Sequence, residues 1–344
     1  MSRTKCLVVG ASGYTGAELL RLLLRHPGAE LVGVTSRQYA GSPLPEIFPR
    51  YRGVGNADAL AFIEPDVSAM TGTDAAFAFL ALPHGVASEY ARPLVEAGVR
   101  VIDLSADFRL NSPSVYEEFY GATHPDADLM EEAVYGLPEI YAEEIKSARL
   151  VASPGCYPTS ILLPLLPLLR AKSIDPGSIH VASMSGVSGA GKKADTKLLF
   201  VECNESVRPY SVPKHRHLSE IEQELSIAAG ETVAISFTPH LVPVNAGICS
   251  TTYAATEKNA AEIGELLESV YAHAPFVRLL GENGCPDTKN VVGTNFIDIG
   301  WARDDRTGRA VLMSAEDNLG KGAGSQAIQS FNLMAGLEET KGIL

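Results

Sequence analysis

The sequence is short of cysteines, cations and long apolar runs, and each shortage excludes a class of protein. Its five cysteines form no CxxC pair, which argues against a disulfide scaffold and suits a reducing compartment. A formal net charge of -13 disfavours binding to nucleic acid or to anionic membranes. The longest apolar run, residues 161–169, is interrupted by two prolines and is much shorter than the roughly 20 residues that span a bilayer. The first strand-like stretch follows Lys5 directly, so we expect no signal peptide and a cytoplasmic protein.

Apolar segments alternate with helical patterns through the first 150 residues. The predicted strands cover residues 6–10, 31–35, 76–82 and 99–104, and the predicted helices cover residues 14–25 and 86–97. Strands that alternate with helices indicate right-handed crossover units and a parallel sheet covered on both faces. The sequence therefore predicts a Rossmann-type, doubly wound α/β domain.

The pattern changes near Ser153, and the second half predicts a different kind of sheet. Longer strands are expected at residues 179–184, 232–239, 249–255 and 296–302, with few helices between them. This order favours an α+β domain with a mixed or antiparallel sheet. We predict a cofactor domain at residues 1–152 and a substrate and dimerisation domain at residues 153–313. Residues 314–344 should form a helix that returns to the first domain.

A glycine-rich loop follows the first predicted strand and opens the first predicted helix. Gly10, Gly13 and Gly16 are spaced GxxGxxG, and such glycines permit a tight turn and close approach of a pyrophosphate to the helix N-terminus. A plain tight turn is the alternative, but the strand-to-helix context favours a dinucleotide site. Sites for NAD usually carry an acidic residue at the end of the second strand. Here Ser36 and Arg37 stand there, which suits a 2′-phosphate and predicts NADP.

Cys156 is the best candidate for a nucleophile. A proline-glycine turn delivers it to the start of an apolar helical run, and a helix N-terminus stabilises the reactive thiolate. A buried structural cysteine is the alternative, and we expect it for the remaining cysteines, which are Cys6, Cys203, Cys249 and Cys285.

His215 and His217 are the candidates for an acid/base partner of this thiol. They precede Ser219, which has the spacing of a capping box with Glu222, so both histidines are expected just before a helix. We favour His217 as the base, and His215 stays open. A zinc site lacks further ligands nearby, so no metal is predicted.

Cations that could bind an anionic substrate lie at two places. Arg109 follows the fourth predicted strand, at the edge where parallel sheets bind ligands, although a surface pair with Asp107 is an equal alternative. Lys192 and Lys193 end a GxxxxGK pattern that resembles a nucleoside-triphosphate loop. Lys193 stands where that loop needs Ser or Thr to hold magnesium, so a Ser/Gly-rich loop that binds substrate fits better.

These segments together resemble the N-acetyl-gamma-glutamyl-phosphate reductase family of the semialdehyde dehydrogenase superfamily. The resemblance runs through the whole chain in the expected order, in residues 10–19, 103–109, 135–139, 154–159, 185–192, 215–221, 239–243, 289–293 and 316–323. Two positions depart from the family: Ala246 stands where an arginine is common, and Ser219 where a proline is common.

The resemblance implies NADPH-dependent reduction of N-acetyl-glutamyl 5-phosphate to the 5-semialdehyde, in arginine biosynthesis, by a homodimer or homotetramer built through the second domain. It implies Cys156 as the nucleophile, with Arg109, Ser185 and Lys192 as contacts for the substrate. The candidate cofactor residues are Gly10, Ser12, Gly13, Tyr14, Thr15, Gly16, Ser36, Arg37, Pro83 and Asn318, the last of these near the nicotinamide.

Three alternatives remain beside this function. A sister enzyme would act on an aminoadipyl phosphate one carbon longer, since a single methylene gives only about 1–3 kcal/mol of discrimination. Aspartate-semialdehyde dehydrogenase shares the chemistry, but the segment around His215 and His217 argues against it. The third alternative is a non-catalytic NADP-sensing protein on the same fold.

Overall fold

The chain is divided between two units in the computed structural model, which describes residues 3–192 and 194–344. The first unit contains the residues up to Pro154 together with Ala323–Leu344, and the second contains Gly155–Gly322. The limit at residue 313 drawn from the sequence falls inside a strand of the second unit, Arg309–Glu316. The second unit instead ends at Gly322.

The sheet of the first unit consists of parallel strands in the order β3-β2-β1-β4-β5-β7-β6. Its strands are β1 (Thr4–Val9), β2 (Ala29–Thr35), β3 (Phe62–Ile63), β4 (Phe77–Leu80), β5 (Arg100–Asp103), β6 (Val134–Tyr135) and β7 (Leu150–Ala152). The central strand β4 is buried at every position, as expected of a parallel strand covered on both faces. The predicted doubly wound sheet is confirmed.

Helices connect these strands, as a parallel sheet requires. They are α1 (Tyr14–Leu23), α2 (Leu44–Ile47), α3 (Val67–Thr71), α4 (Ser88–Glu96), α5 (Pro113–Tyr120), α6 (Ala127–Glu132) and α7 (Pro138–Ser147). The leucines of α1 form one buried stripe, and its polar residues face solvent. The 3.6-residue spacing of apolar residues in the sequence therefore matches the face on which α1 packs.

The sheet of the second unit is mixed, with the order β12-β13-β14-β11-β8-β10-β9. Its strands are β8 (His180–Ser185), β9 (Arg208–Pro209), β10 (Ser236–Leu241), β11 (Ile248–Ala255), β12 (Val277–Glu282), β13 (Ile297–Asp304) and β14 (Arg309–Glu316). β8 pairs with β10 in parallel and with β11 in antiparallel fashion, which confirms the predicted mixed sheet. Exposed and buried residues alternate along β8, so one face of the sheet is packed and the other is open.

The helices of the second unit are α8 (Cys156–Arg170), α9 (Phe200–Cys203), α10 (His217–Ala229) and α11 (Ala260–Tyr271). α8 is almost wholly buried despite Pro164 and Pro167 in its interior, and it packs on β11, β14, α10 and α11. The last helix, α12 (Ser325–Met334), belongs to the first unit and packs on α7 and α1. Within the described residues, no helix is long and apolar enough to cross a membrane.

Candidate functional site

The glycine loop of the first unit has the geometry of a nucleotide cradle. Gly10 has a φ of +81°, and its amide donates to the hydroxyl of Thr35 at 3.1 Å. A Cβ on Gly16 would lie 2.6 Å from the carbonyl oxygen of Gly10, whereas a Cβ on Gly13 would have no contact closer than 4.0 Å. Gly16 therefore permits close packing of α1 on the strand, while Gly13 leaves open space at the N-terminus of α1. A pyrophosphate fits this arrangement.

The end of β2 carries the residues predicted to select the cofactor. Ser36 is buried and donates to the hydroxyl of Ser12 at 3.2 Å. Arg37 is exposed, donates to the hydroxyl of Tyr90 at 3.0 Å, and lies 3.8 Å from the carboxylate of Glu89. A cation held at this position by α4, with no acidic residue at the strand end, suits a ribose that carries a phosphate.

The remaining cofactor candidates of the first unit lie around this loop. Tyr14 and Pro83 are exposed, and Thr15 is half-buried. The loop that follows Pro83 is held by Asp107, whose carboxylate accepts the amides of Gly85 at 2.6 Å and Ser88 at 3.2 Å. Asp107 thus organises a loop at the carboxyl edge of the parallel sheet.

Arg109 is buried and is not a surface partner of Asp107. It is 7% exposed, and its guanidinium donates to the carbonyl oxygens of Ser153 at 2.7 Å and Leu104 at 2.9 Å. The surface position considered from the sequence is wrong, because the side chain of Arg109 is buried. Asp107 accepts backbone amides and the hydroxyl of Tyr116, the latter at 3.0 Å. Arg109 instead ties the turn before the candidate nucleophile to the end of β5.

A second buried acid shapes the same segment. Asp103 is fully buried and accepts both the amide and the hydroxyl of Ser105, at 2.9 and 2.7 Å. Burial, followed by the neighbouring charge of Asp107, raises the pKa of Asp103 to about 7. These bonds hold the Asp103–Arg109 segment in one conformation.

Cys156 is the first residue of α8 in the second unit, and it is half-buried. Gly155 is the N-cap with an extended backbone, and Pro158 in the first turn has no N–H. The first amides of a helix have no acceptor within the helix, so the N–H groups of Cys156 and Tyr157 mark a place for an anion. The position predicted for the nucleophile at a helix start agrees with this structure.

The other cysteines offer no comparable setting. Burial raises the pKa of Cys6 and of Cys249, and Cys203 is buried. Cys285 is exposed, so its predicted burial is wrong; it lies in a loop after β12, outside any packed strand. No group of three potential metal ligands occurs within residues 3–192 and 194–344.

The two histidines lie beside the start of α8 and at the N-terminus of α10. His215 precedes this helix, and His217 is its first residue. Their ring centroids are 4.9 Å apart, and the ring of Tyr157 lies 5.5 Å from His215 and 6.0 Å from His217. α10 begins at His217, and Ser219 donates to the carbonyl of Arg216 at 2.8 Å. The predicted capping box is therefore wrong, because the helix starts two residues earlier than Ser219 and takes Arg216 as its N-cap.

The two histidines differ in burial and in their contacts at this boundary. Nδ1 of His215 accepts the backbone N–H of His217 at 3.1 Å, and burial, followed by the charge of Arg216, lowers the pKa of His215 to about 4. His215 is therefore neutral at pH 7 and bonded to the backbone. His217, in contrast, is half-buried.

Residues that the sequence reasoning missed complete the surroundings of Cys156. The hydroxyls of Tyr157 and Tyr210 are 2.8 Å apart, and burial raises the pKa of both, that of Tyr210 to about 12. A Cβ on Gly322 would lie 2.7 Å from Cβ of Cys156 and 2.8 Å from Oε1 of Glu316. Only the apolar turn around Tyr210, with its two prolines, could have drawn attention to that tyrosine in the sequence.

The Ser/Gly-rich loop after β8 is docked on the loop before β11. The amides of Gly186, Val187 and Ser188 donate to carbonyls of the facing loop, each at 2.9 Å. Asn318 accepts the amide of Gly247 at 2.7 Å and donates to the hydroxyl of Ser188 at 3.0 Å. The side chain of Asn318 is thus engaged in fixing these two loops.

The predicted substrate contacts in this loop differ in accessibility. Ser185 is buried and donates to the carbonyl of Gly186 at 3.1 Å, while Lys192 is exposed. Lys193 lies outside the described residues. Ala246 lies directly against Gly186, where a Cβ on Gly186 would meet the Ala246 backbone at 2.8 Å.

Comparisons with known proteins agree with this division. Residues 5–148 match the NAD binding domain of semialdehyde dehydrogenases, and residues 156–318 match their dimerisation domain. N-acetyl-gamma-glutamyl-phosphate reductase from Akkermansia muciniphila is 66% identical over 100% of this chain and 99% of its own length. The chain belongs to the N-acetyl-gamma-glutamyl-phosphate reductase family.

A more distant relative carries the same name, and a solved structure of another enzyme has the same fold. The reductase of that name from Moorella thermoacetica is 49% identical over 98% of this chain and 96% of its own length. Aspartate semialdehyde dehydrogenase II from Vibrio cholerae superposes with a TM-score of 0.73 at 18% identity, covering 97% of this chain and 99% of its own. Membership of this family makes the chain an oxidoreductase that uses a nicotinamide cofactor.

Proposed function

We propose that this enzyme reduces N-acetyl-L-glutamyl 5-phosphate to N-acetyl-L-glutamate 5-semialdehyde and phosphate with NADPH, through a thioester on Cys156. The observation that carries the proposal is the position of Cys156 as the first residue of α8, next in the chain to Tyr157, whose ring lies 6.0 Å from that of His217. The name of the relative that is 66% identical over the full chain supports the substrate. On this proposal, the enzyme acts in arginine biosynthesis in the cytoplasm.

The thiol of Cys156 begins the reaction. His217 takes the proton from Sγ, and the thiolate attacks the acyl carbon of the substrate. The N–H groups at the start of α8 stabilise the oxyanion that develops there, and phosphate leaves as the C–O bond breaks. A thioester on Cys156 remains, with the proton held on His217.

The cofactor candidates of the glycine loop, with Ser36 and Arg37, would hold NADPH, which would supply the hydride to the thioester when bound. The resulting alkoxide collapses to the aldehyde and releases the thiolate of Cys156. His217 returns its proton to Sγ, so the protein ends in its starting state. Arg109, Ser185 and Lys192 are proposed to orient the substrate or the residues that bind it.

The second unit supports an oligomer. Its match to a dimerisation domain coincides with a sheet whose open face carries Met184, 51% exposed, and Tyr253, 41% exposed. Large apolar side chains on an open sheet face are typical of an interface. We propose that this face joins two copies in a homodimer, which can pair further into a homotetramer.

The test of the proposed function is the reverse reaction. Reduction of NADP should depend on both phosphate, or arsenate, and N-acetyl-glutamate 5-semialdehyde. Turnover that is faster with the semialdehyde one carbon longer would identify the sister aminoadipyl enzyme instead. Absence of turnover with either aldehyde, in protein that binds NADP, would favour the NADP-sensing alternative.

Arg37 provides a test of the cofactor. Arg37→Ala removes the cation proposed for the 2′-phosphate, so the Kd for NADPH should rise about 10- to 100-fold, as expected for a charge-assisted hydrogen bond. The Kd for NADH should stay unchanged, because NADH lacks that phosphate. Fluorescence titration measures both, with Arg52→Ala, an exposed arginine of the same unit, as the control. Equal losses for the two cofactors would contradict the assignment.

The lowered pKa of His215 predicts a dependence of stability on pH. Because the pKa falls from 6.5 in the unfolded chain to about 4 in the fold, the unfolded state binds more protons between these values. Stability is then fully present above pH 6.5 and declines as the pH falls toward 4, by up to about 3 kcal/mol.

His215→Asn removes the titrating group and keeps an oxygen that can accept the backbone N–H of His217. The fall in Tm between pH 6.5 and 4 should therefore be shallower in this variant than in the wild type. Parallel Tm curves for the two proteins would show that His215 does not titrate in this way.

A further inference from the structure

Glu220 is a buried carboxylate that connects the two helices of the thiol site. It is 1% exposed, and its Oε1 accepts the N–H of Gly155 at 2.9 Å. Gly155 is the N-cap of α8 and has no side chain with which to cap the helix. Burial of a carboxylate destabilises the fold unless hydrogen bonds compensate for its lost hydration. The bond from Gly155 provides part of this compensation in the second unit.

The position of Glu220 on α10 links it to the proposed base. His217 and Glu220 are three residues apart, and side chains at that spacing project from the same face of a helix. One face of α10 therefore carries both the imidazole and the carboxylate that bonds the residue before Cys156. The contact joins residues 65 positions apart in the chain, and it fixes the start of α8 relative to the start of α10.

We propose that Glu220 is a positioning residue that holds Cys156 in register with His217 by accepting the amide of Gly155. The proposal rests on the function proposed above for Cys156 and His217. The bond also directs the peptide between Gly155 and Cys156, and so the orientation of the Cys156 N–H that is proposed to face the oxyanion. Glu220 itself makes no contact with substrate in this account.

Two uncharged variants isolate the hydrogen bond from the charge. Glu220→Gln keeps an oxygen that can accept the Gly155 amide, whereas Glu220→Ala removes the acceptor. We expect kcat to fall at least about 100-fold in E220A, since a displacement of about 1 Å at a reacting group costs that much, with KM for NADPH unchanged. E220Q should recover kcat to within about tenfold of wild type, because a neutral acceptor is weaker than a charged one.

Glu224 is the matched control. It lies one turn further along α10, is 2% exposed, and accepts a hydrogen bond from Gln223 at 3.1 Å. Glu224→Ala should lower Tm but leave kcat close to that of wild type. Equal losses of kcat in E220A and E224A, or the same loss in E220A and E220Q, would overturn the positioning role.

A second readout needs no substrate and so separates this proposal from the proposed function. The rate at which iodoacetamide alkylates Cys156, followed on its peptide by mass spectrometry, should be about fivefold higher in E220Q than in E220A, the effect of a hydrogen bond worth about 1 kcal/mol. Both variants lack the charge, so the difference reports the bond alone. Equal rates would overturn the proposal even if the enzyme acts on another acyl phosphate.

Discussion

Cys156→Ser is expected to lower kcat by a factor on the order of 10⁴ or more, the scale on which removal of a nucleophile acts in enzymes with a covalent intermediate. A serine hydroxyl is far less acidic than a thiol, and the start of α8 cannot ionise it at neutral pH. The fold should be unaffected, because the change is nearly isosteric and Cys156 is half-buried. Steady-state turnover in the reverse direction measures the loss of kcat, and an unchanged Tm shows that the variant is folded like the wild type.

Cys249→Ser is the control for this change. Cys249 belongs to the same unit, and burial raises the pKa of its thiol, so it should contribute nothing to the chemistry. Turnover close to wild type is expected for this variant. Comparable losses in both variants, or activity that survives in Cys156→Ser, would contradict a thioester on Cys156.

His217→Asn is expected to lower kcat about 10²- to 10⁴-fold, the usual contribution of general acid–base catalysis. The thiol would lose the group that takes and returns its proton, while the amides at the start of α8 would remain. Pre-steady-state measurement should place the loss in formation and collapse of the thioester, with cofactor affinity unchanged.

His215→Asn answers which histidine is the base. His215 has its Nδ1 bonded to the backbone and a pKa of about 4, so this variant should lose much less activity than His217→Asn. His180→Gln, at an exposed position of β8, controls for the loss of any imidazole. A larger loss in His215→Asn than in His217→Asn would reverse the assignment.

The central strands and the first helix of the first unit could be predicted closely because their signals are local, whereas the short strands β3, β6 and β7 were not predicted. The apolar runs of β1 and β4, and the single leucine stripe of α1, each specify one element without long-range information. The glycine loop was found for the same reason, since its turn and its close packing are both encoded within seven residues. The sequence also pointed to Cys156 through the turn at Pro154 and Gly155.

The second unit was harder to predict, because its strand order depends on pairing between segments that are far apart in the sequence. β9, β12 and β14 were missed, and β14 pairs with β11 and β13 in the sheet. A capping box at Ser219 was wrong because tertiary contacts extend α10 back to His217. The role of Glu220 could not be predicted either, because its partner lies on another helix far away in the chain.

The measurement that tests the central claim most directly is detection of the acyl-enzyme. The protein is mixed with N-acetyl-glutamyl 5-phosphate in the absence of NADPH, quenched in acid, digested and examined by mass spectrometry. We expect one N-acetyl-glutamyl group on the peptide that contains Cys156, sensitive to hydroxylamine and removed by addition of NADPH. An unmodified Cys156 peptide in a protein that turns the substrate over, or a label on a different residue, would contradict it.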